Sequence, residues 1–222
     1  MTHPIRTLYA DLPAKADRPA LFDGDTVLTH ADLIALVERA AADLAARGIK
    51  PGDRIGLCAA NSWRHVVAYL AILRANAVWT PLNPRNGAGL NGDFQTRARL
   101  AQTLHDAESK GAMGVTSNPL SLEDWLADLP DAAPPAILDD ADAAFALKFT
   151  GGSTGVPKGV VQSQASGAAA LRSLQGFYAF TSDDVNLAVA PLTHGSSHYI
   201  LPVLAAGGAH VLLATPDRAA IL

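Results

Sequence analysis

Between Thr29 and Pro81 the sequence switches between helical and extended periodicity three times, and this alternation restricts the fold more than any other feature. Leu33, Leu36, Val37, Ala40, Ala41 and Leu44 recur at helical spacing, with Thr29 and Asp32 placed as a capping pair and Gly48 as a stop. Pro51-Gly52-Asp53 then turns the chain into a short buried strand at Arg54–Cys58. A helix over Ser62–Ala75 and a strand over Ala77–Pro81 complete a β-α-β unit. A helix from Asp93 to about Ser109 and a strand near Ala112–Thr116 would continue the alternation. Such a chain is α/β, with mainly parallel sheets flanked by helices.

Composition narrows the class further. With 222 residues, 49% hydrophobic and 17% charged, the chain is too apolar to be disordered and too long to need staples. Its single cysteine, Cys58, forbids an intramolecular disulfide and points to a reducing compartment. The polar start after Met1 lacks the apolar core of a secretory signal, so a cytoplasmic location is expected. A net charge of −4 argues against nucleic acid as a partner. The longest apolar stretch, Tyr199–Ala214, is too short to span a bilayer and is broken by Pro202, Gly207, Gly208 and His210.

Prolines and acidic residues from Asn118 to Asp142 mark a connection containing one short helix at Ser121–Leu129. The expected organisation is a first α/β subdomain at 1–117, a connecting segment at 118–143 and a second subdomain at 144–222. In the last part, Ala144–Phe149 and Gly159–Gln162 read as strands and Ser163–Gly176 as a helix. Asp184–Ala190 and Ala209–Leu213 read as further strands, separated by a helix that starts near Thr193.

The sharpest chemical signal lies between the first two of those strands. Thr150-Gly151-Gly152-Ser153-Thr154-Gly155-Val156-Pro157-Lys158-Gly159 carries three hydroxyls, four glycines and one lysine. Glycines let backbone N–H groups turn inward as an anion-binding nest, hydroxyls add donors, and Lys158 adds a compact positive charge. A polyphosphate suits such a loop. It is not a Walker A loop, because Val156-Pro157 precedes the lysine and a strand, not a helix, follows it. The expected geometry is hairpin-like.

The stretch Phe149–Val161 resembles the phosphate-loop signature of the adenylate-forming (AMP-binding) superfamily, which includes acyl-CoA synthetases, luciferases and peptide-synthetase adenylation domains. Pro191-Leu192-Thr193-His194-Gly195 is similar to the downstream motif that lines the acyl pocket in that superfamily, and Thr29–Leu33, Gly48–Ala60 and Val78–Arg85 match its amino-terminal pattern. The resemblance covers nearly the whole chain. It implies an acid–thiol ligase that joins a carboxylic acid to ATP as an acyl-adenylate and then to coenzyme A. Thr150, Gly151, Gly152, Ser153, Thr154, Gly155 and Lys158 would hold the phosphates, with Mg²⁺ at Thr154, and Lys158 and His194 would serve the reaction.

Two departures accompany the resemblance: Gly151 stands where serine is usual, and residues 86–92 are rich in Gly and Asn. The later motifs for adenine, ribose and the catalytic lysine of the carboxy-terminal domain are expected beyond Leu222. The chain is accordingly read as an incomplete amino-terminal domain, inactive alone, with exposed apolar surface. Two alternatives stand beside this reading. Gly151–Gly155 also satisfies G-x-S-x-G, the elbow of an α/β-hydrolase esterase with Ser153 as nucleophile. A truncated, non-catalytic nucleotide-binding relative is the other.

Overall fold

The computed structural model describes residues 3–115, 118–150 and 157–215. A 3-10 turn (Pro4–Tyr9) and a one-turn helix, α1 (Leu12–Lys15), lead into a hairpin of β1 (Pro19–Asp23) and β2 (Thr26–Thr29). Helix α2 (His30–Ala46), strand β3 (Arg54–Cys58), helix α3 (Trp63–Arg74) and strand β4 (Val78–Pro81) follow, close to the expected bounds. Next come α4 (Gly87–Ala98), β5 (Gln102–His105), β6 (Pro119–Ser121) and α5 (Leu122–Ala127). The remainder comprises β7 (Ala144–Thr150), β8 (Lys158–Ser163), α6 (Gln164–Tyr178), β9 (Val185–Ala188), α7 (Ile200–Ala205) and β10 (Ala209–Leu212).

Two sheets form, in the orders β6-β5-β3-β4-β7-β8 and β2-β1-β10-β9. All pairings are parallel except β7 with β8 and β1 with β2. The mainly parallel α/β class is therefore the one adopted. The expected segments 1–117, 118–143 and 144–222 interleave in space: β7 joins β4 in the larger sheet, while β1 pairs with β10 in the smaller.

Helix α2 starts with the expected reciprocal cap. The Thr29 hydroxyl accepts from the Asp32 N–H at 3.1 Å, and the Asp32 carboxylate accepts from the Thr29 N–H at 3.1 Å. It packs on α3, and α3 touches β1 of the smaller sheet and both β3 and β4 of the larger. Every residue of α3 from His65 to Arg74 is buried, as a helix between two sheets requires. The charged end of that helix is satisfied: Arg74 Nε and Nη2 donate to Glu38 of α2 at 2.7 and 3.1 Å. No helix among the described residues is long and apolar enough to cross a membrane.

The segment after β4 departs from expectation. The helix expected over Asp93–Ser109 instead runs over Gly87–Ala98, stops at Arg99 in the left-handed region (φ 50°), and gives way to β5. Lys110–Ala112 form a 3-10 turn, and the described part of the strand expected near 112–116, up to residue 115, is not extended into a strand. Burial without apolar patterning explains the difference. Strand β5 is buried throughout, yet Gln102, Thr103 and His105 are polar and are made tolerable by partners such as Gln95 Oε1, 3.0 Å from the Thr103 hydroxyl. Glycines in α4 permit a close approach: a Cβ on Gly114 would lie 2.5 Å from the Ala88 carbonyl oxygen and 2.9 Å from Gly92 Cα. Strands β1, β2, β5 and β6 are additional to those expected from periodicity.

Candidate active site

Strands β7 and β8 form an antiparallel hairpin whose register places Thr150 opposite Lys158 and Phe149 opposite Gly159. The Thr150 hydroxyl donates to the Lys158 carbonyl at 3.4 Å. The two ends of the polar loop are thus pinned side by side at the edge of the larger sheet. Gly151, Gly152, Ser153, Thr154 and Gly155 lie outside the described residues, whereas Thr150, Lys158 and His194 are within them. The strand that begins at Lys158 corrects the esterase alternative, because a nucleophile elbow runs from strand directly into helix.

Below the hairpin mouth lies a cleft of about 340 Å³, lined by Thr150, Lys148, Phe94, Asn83, His194 and His198 among others. Thr150 and His194, far apart in sequence, therefore meet at one cavity. Phe149 is fixed by stacking on Phe94 of α4, with ring centroids 4.5 Å apart and planes 7° from parallel. His194 is exposed and precedes a 3-10 turn at Gly195–Tyr199, where its carbonyl accepts from the Ser197 hydroxyl at 2.8 Å. Beside it, Thr193 is buried with an unpartnered hydroxyl among the described residues. No cluster of three metal-ligating side chains occurs among the described residues, and Thr154 lies outside them.

Asn61 and Asn91 position the walls of this cleft. Asn61 follows β3; its Nδ2 donates to the Ala188 and Ala190 carbonyls at 3.0 Å each, and its Oδ1 accepts from the Leu192 N–H at 2.8 Å. That clamp fixes the chain just before His194. Asn91 of α4 donates to the carbonyls of Asn83 at 2.9 Å and Ala112 at 2.8 Å, tying the helix to the cleft rim. Nothing in the sequence separates these asparagines from ordinary turn formers, since their partners are remote carbonyls.

The least expected group is Lys148. Its Nζ lies 3.3 Å from His198 Nε2 and 5.1 Å from the centroid of the Trp79 ring. His198 Nδ1 faces the Gly195 carbonyl at 3.0 Å. A carbonyl only accepts, so Nδ1 carries the proton and Nε2 accepts from Lys148. Burial lowers the Lys148 ammonium to about 8. His198 is also lowered, by burial first and then by the Lys148 charge. A cation in the apolar run Leu147-Lys148-Phe149 was the available sequence signal.

Comparison with known proteins places these features in a common frame. The pattern defining the AMP-binding enzyme family matches residues 10–222. The chain belongs to the AMP-binding enzyme family. It is 31% identical over 216 residues to an oxalate--CoA ligase of Arabidopsis thaliana, covering 88% of this chain and 42% of that protein. It is also 33% identical over 151 residues to nonribosomal peptide synthetase 8 of Aspergillus fumigatus, covering 65% of this chain and 2% of that protein. The ATP-bound crystal structure of MatB from Rhodopseudomonas palustris superposes with a TM-score of 0.86 and 27% identity, over 100% of this chain and 47% of MatB. This AMP-binding chain therefore spans less than half of each of these relatives, and both CoA ligases and peptide synthetases are among its kin.

Proposed function

We propose that this chain is the phosphate-holding amino-terminal part of an acid–thiol ligase that activates a carboxylic acid with ATP and transfers the acyl group to coenzyme A. The observation that carries the reading is the hairpin that holds Thr150 and Lys158 opposite each other, above a cleft shared with His194. Kinship to an oxalate--CoA ligase supports coenzyme A as the acceptor, and the ATP-bound MatB structure supports ATP as the donor.

In the first step a carboxylate oxygen of the acid attacks the α-phosphorus of ATP, and the bond to the bridging oxygen breaks as pyrophosphate leaves. No proton has to move, so the task of the protein is alignment and charge stabilisation. Lys158 would supply positive charge to the departing phosphates and the hydroxyls of Ser153 and Thr154 donors, with Thr150, bonded to the Lys158 carbonyl, holding the ends of the loop together and Gly151, Gly152 and Gly155 leaving backbone N–H groups for the anion. A Mg²⁺ ion held through Thr154 would share the phosphate charge. The donor set around Thr150 and Lys158 suits an anion. His194, exposed at the rim, borders the incoming carboxylate. In the second step the coenzyme A thiolate attacks the acyl carbon and AMP leaves. Residues for adenine, ribose and the thiol are proposed to correspond to the part of the relatives that this chain does not cover.

Acid-dependent exchange of labelled pyrophosphate into ATP tests this division of labour. The 222-residue chain alone is expected to show background exchange. Robust exchange from these residues would overturn the proposal that the part of the relatives not covered by this chain is needed for the reaction.

A further inference from the structure

We infer that Lys148, with His198 behind it, binds a second negatively charged group at the far end of the acid, so that the preferred substrates are short dicarboxylic acids. This rests on the acid-activating reading above and specifies its substrate class.

The first observation is an imbalance of charge. The Lys148 ammonium has the His198 ring nitrogen and the Trp79 face as neighbours, and none of the ion pairs among the described residues includes it. Both neighbours are uncharged, and His198 is held with its bare Nε2 toward the lysine by the Gly195 carbonyl. A desolvated cation without a counter-charge is costly, and an anion arriving from the cleft relieves that cost. Among the described residues burial is the cause of the lowered Lys148 value, with no carboxylate to oppose it.

The second observation is position. Lys148 and Thr150 are two residues apart on β7 and line the same cleft, so their backbones are separated by roughly 7 Å along one face of the strand. Thr150 stands at the mouth, where the phosphates are proposed to sit. Lys148 is set back, and together with His198 it also lines a small inner cavity of about 30 Å³ with Trp79, Tyr69 and Phe145. Trp79, which also lines that recess, has a buried indole Nε1 with no partner among the described residues. An acid whose reacting carboxylate points to the mouth would direct its other end to Lys148. A purely apolar tail would leave the ammonium uncompensated.

The test uses the whole chain labelled with ¹³C at lysine Cε, titrated with succinate or with butyrate, its counterpart lacking the second carboxylate. Succinate is expected to move the Lys148 signal saturably and to bind at least about tenfold tighter than butyrate, as a charge-assisted contact allows. Lys148→Gln should erase the preference, and Lys148→Arg should retain most of it. Equal affinity of the wild-type chain for succinate and butyrate overturns the inference, whether or not the variants fold. So does a Lys148 signal that responds to ATP or inorganic phosphate but not to succinate, which would assign the anion to a phosphate. Failure of ATP to bind the wild-type chain, scored separately, counts instead against the phosphate-loop reading.

Discussion

Helices α3 and α6 begin alike and end in opposite environments. Each follows a strand, and each is capped by a serine hydroxyl that accepts from the N–H three residues on, at 3.2 Å for Ser62 and His65 and 3.2 Å for Ser163 and Ser166. Yet α3 is buried from His65 to Arg74, whereas only Gln164 and Ala168 are buried in α6 and Phe177 is 80% exposed. The neighbouring strands follow the same division: β4 and β5 are fully buried, while β8 and β9 are sheet edges that expose Val160, Val161, Val185 and Leu187. Local sequence thus specifies where a helix starts, and tertiary packing decides how much stability it contributes. The half of the molecule that builds the rigid frame is saturated with contacts, and the half that carries the hairpin is not.

The contrast can be broken by mutation, and the largest expected effect is in α3. Leu70→Ala, at a fully buried position, should cost about 2–5 kcal/mol in denaturant unfolding. A loss under about 1 kcal/mol would mean that α3 is not the central layer.

Acidification should also act through the buried frame. His65 donates through Nδ1 to the Ala59 and Ala60 carbonyls and has an Nε2 unpartnered among the described residues, and His210 is buried against the Ile200 carbonyl. Burial lowers each to about 4 from 6.5. The unfolded chain therefore takes up protons first, and stability falls as pH drops from about 6.5 towards 4. Between pH 7 and pH 5 the loss should be roughly 2 kcal/mol per histidine, read from urea midpoints. A flat profile over that range would contradict neutral burial of these rings.

Thr29→Ala removes half of the α2 capping box and should cost about 1 kcal/mol. On the other side of the molecule, Val161→Thr with Phe177→Ser should change stability by less than about 0.5 kcal/mol while raising solubility, because edge strands and apolar patches promote association. A loss comparable to that of Leu70→Ala would show the two regions to be equally packed.

The same contrast explains what could be read from sequence. Strands β3 and β4 and helices α2 and α3 were legible because burial there follows a regular period bounded by Thr29, Gly48 and Ser62. Strand β5 was not, because Gln102, Thr103 and His105 are buried by virtue of partners that lie elsewhere in the chain. At the site, the loop from Thr150 to Lys158 announced itself by composition. Lys148 and Asn61 did not, since the roles of both come from residues far away in sequence, His198 and the carbonyls of Ala188 and Ala190.

Calorimetric titration of ATP into the 222-residue chain and its Lys158→Ala variant shows whether the β7–β8 hairpin presents a phosphate site. The expected result is binding that pyrophosphate competes away and that Lys158→Ala weakens by about tenfold or more, the loss of one charge-assisted phosphate contact. No binding by the wild-type chain, or equal binding by the variant, would contradict it.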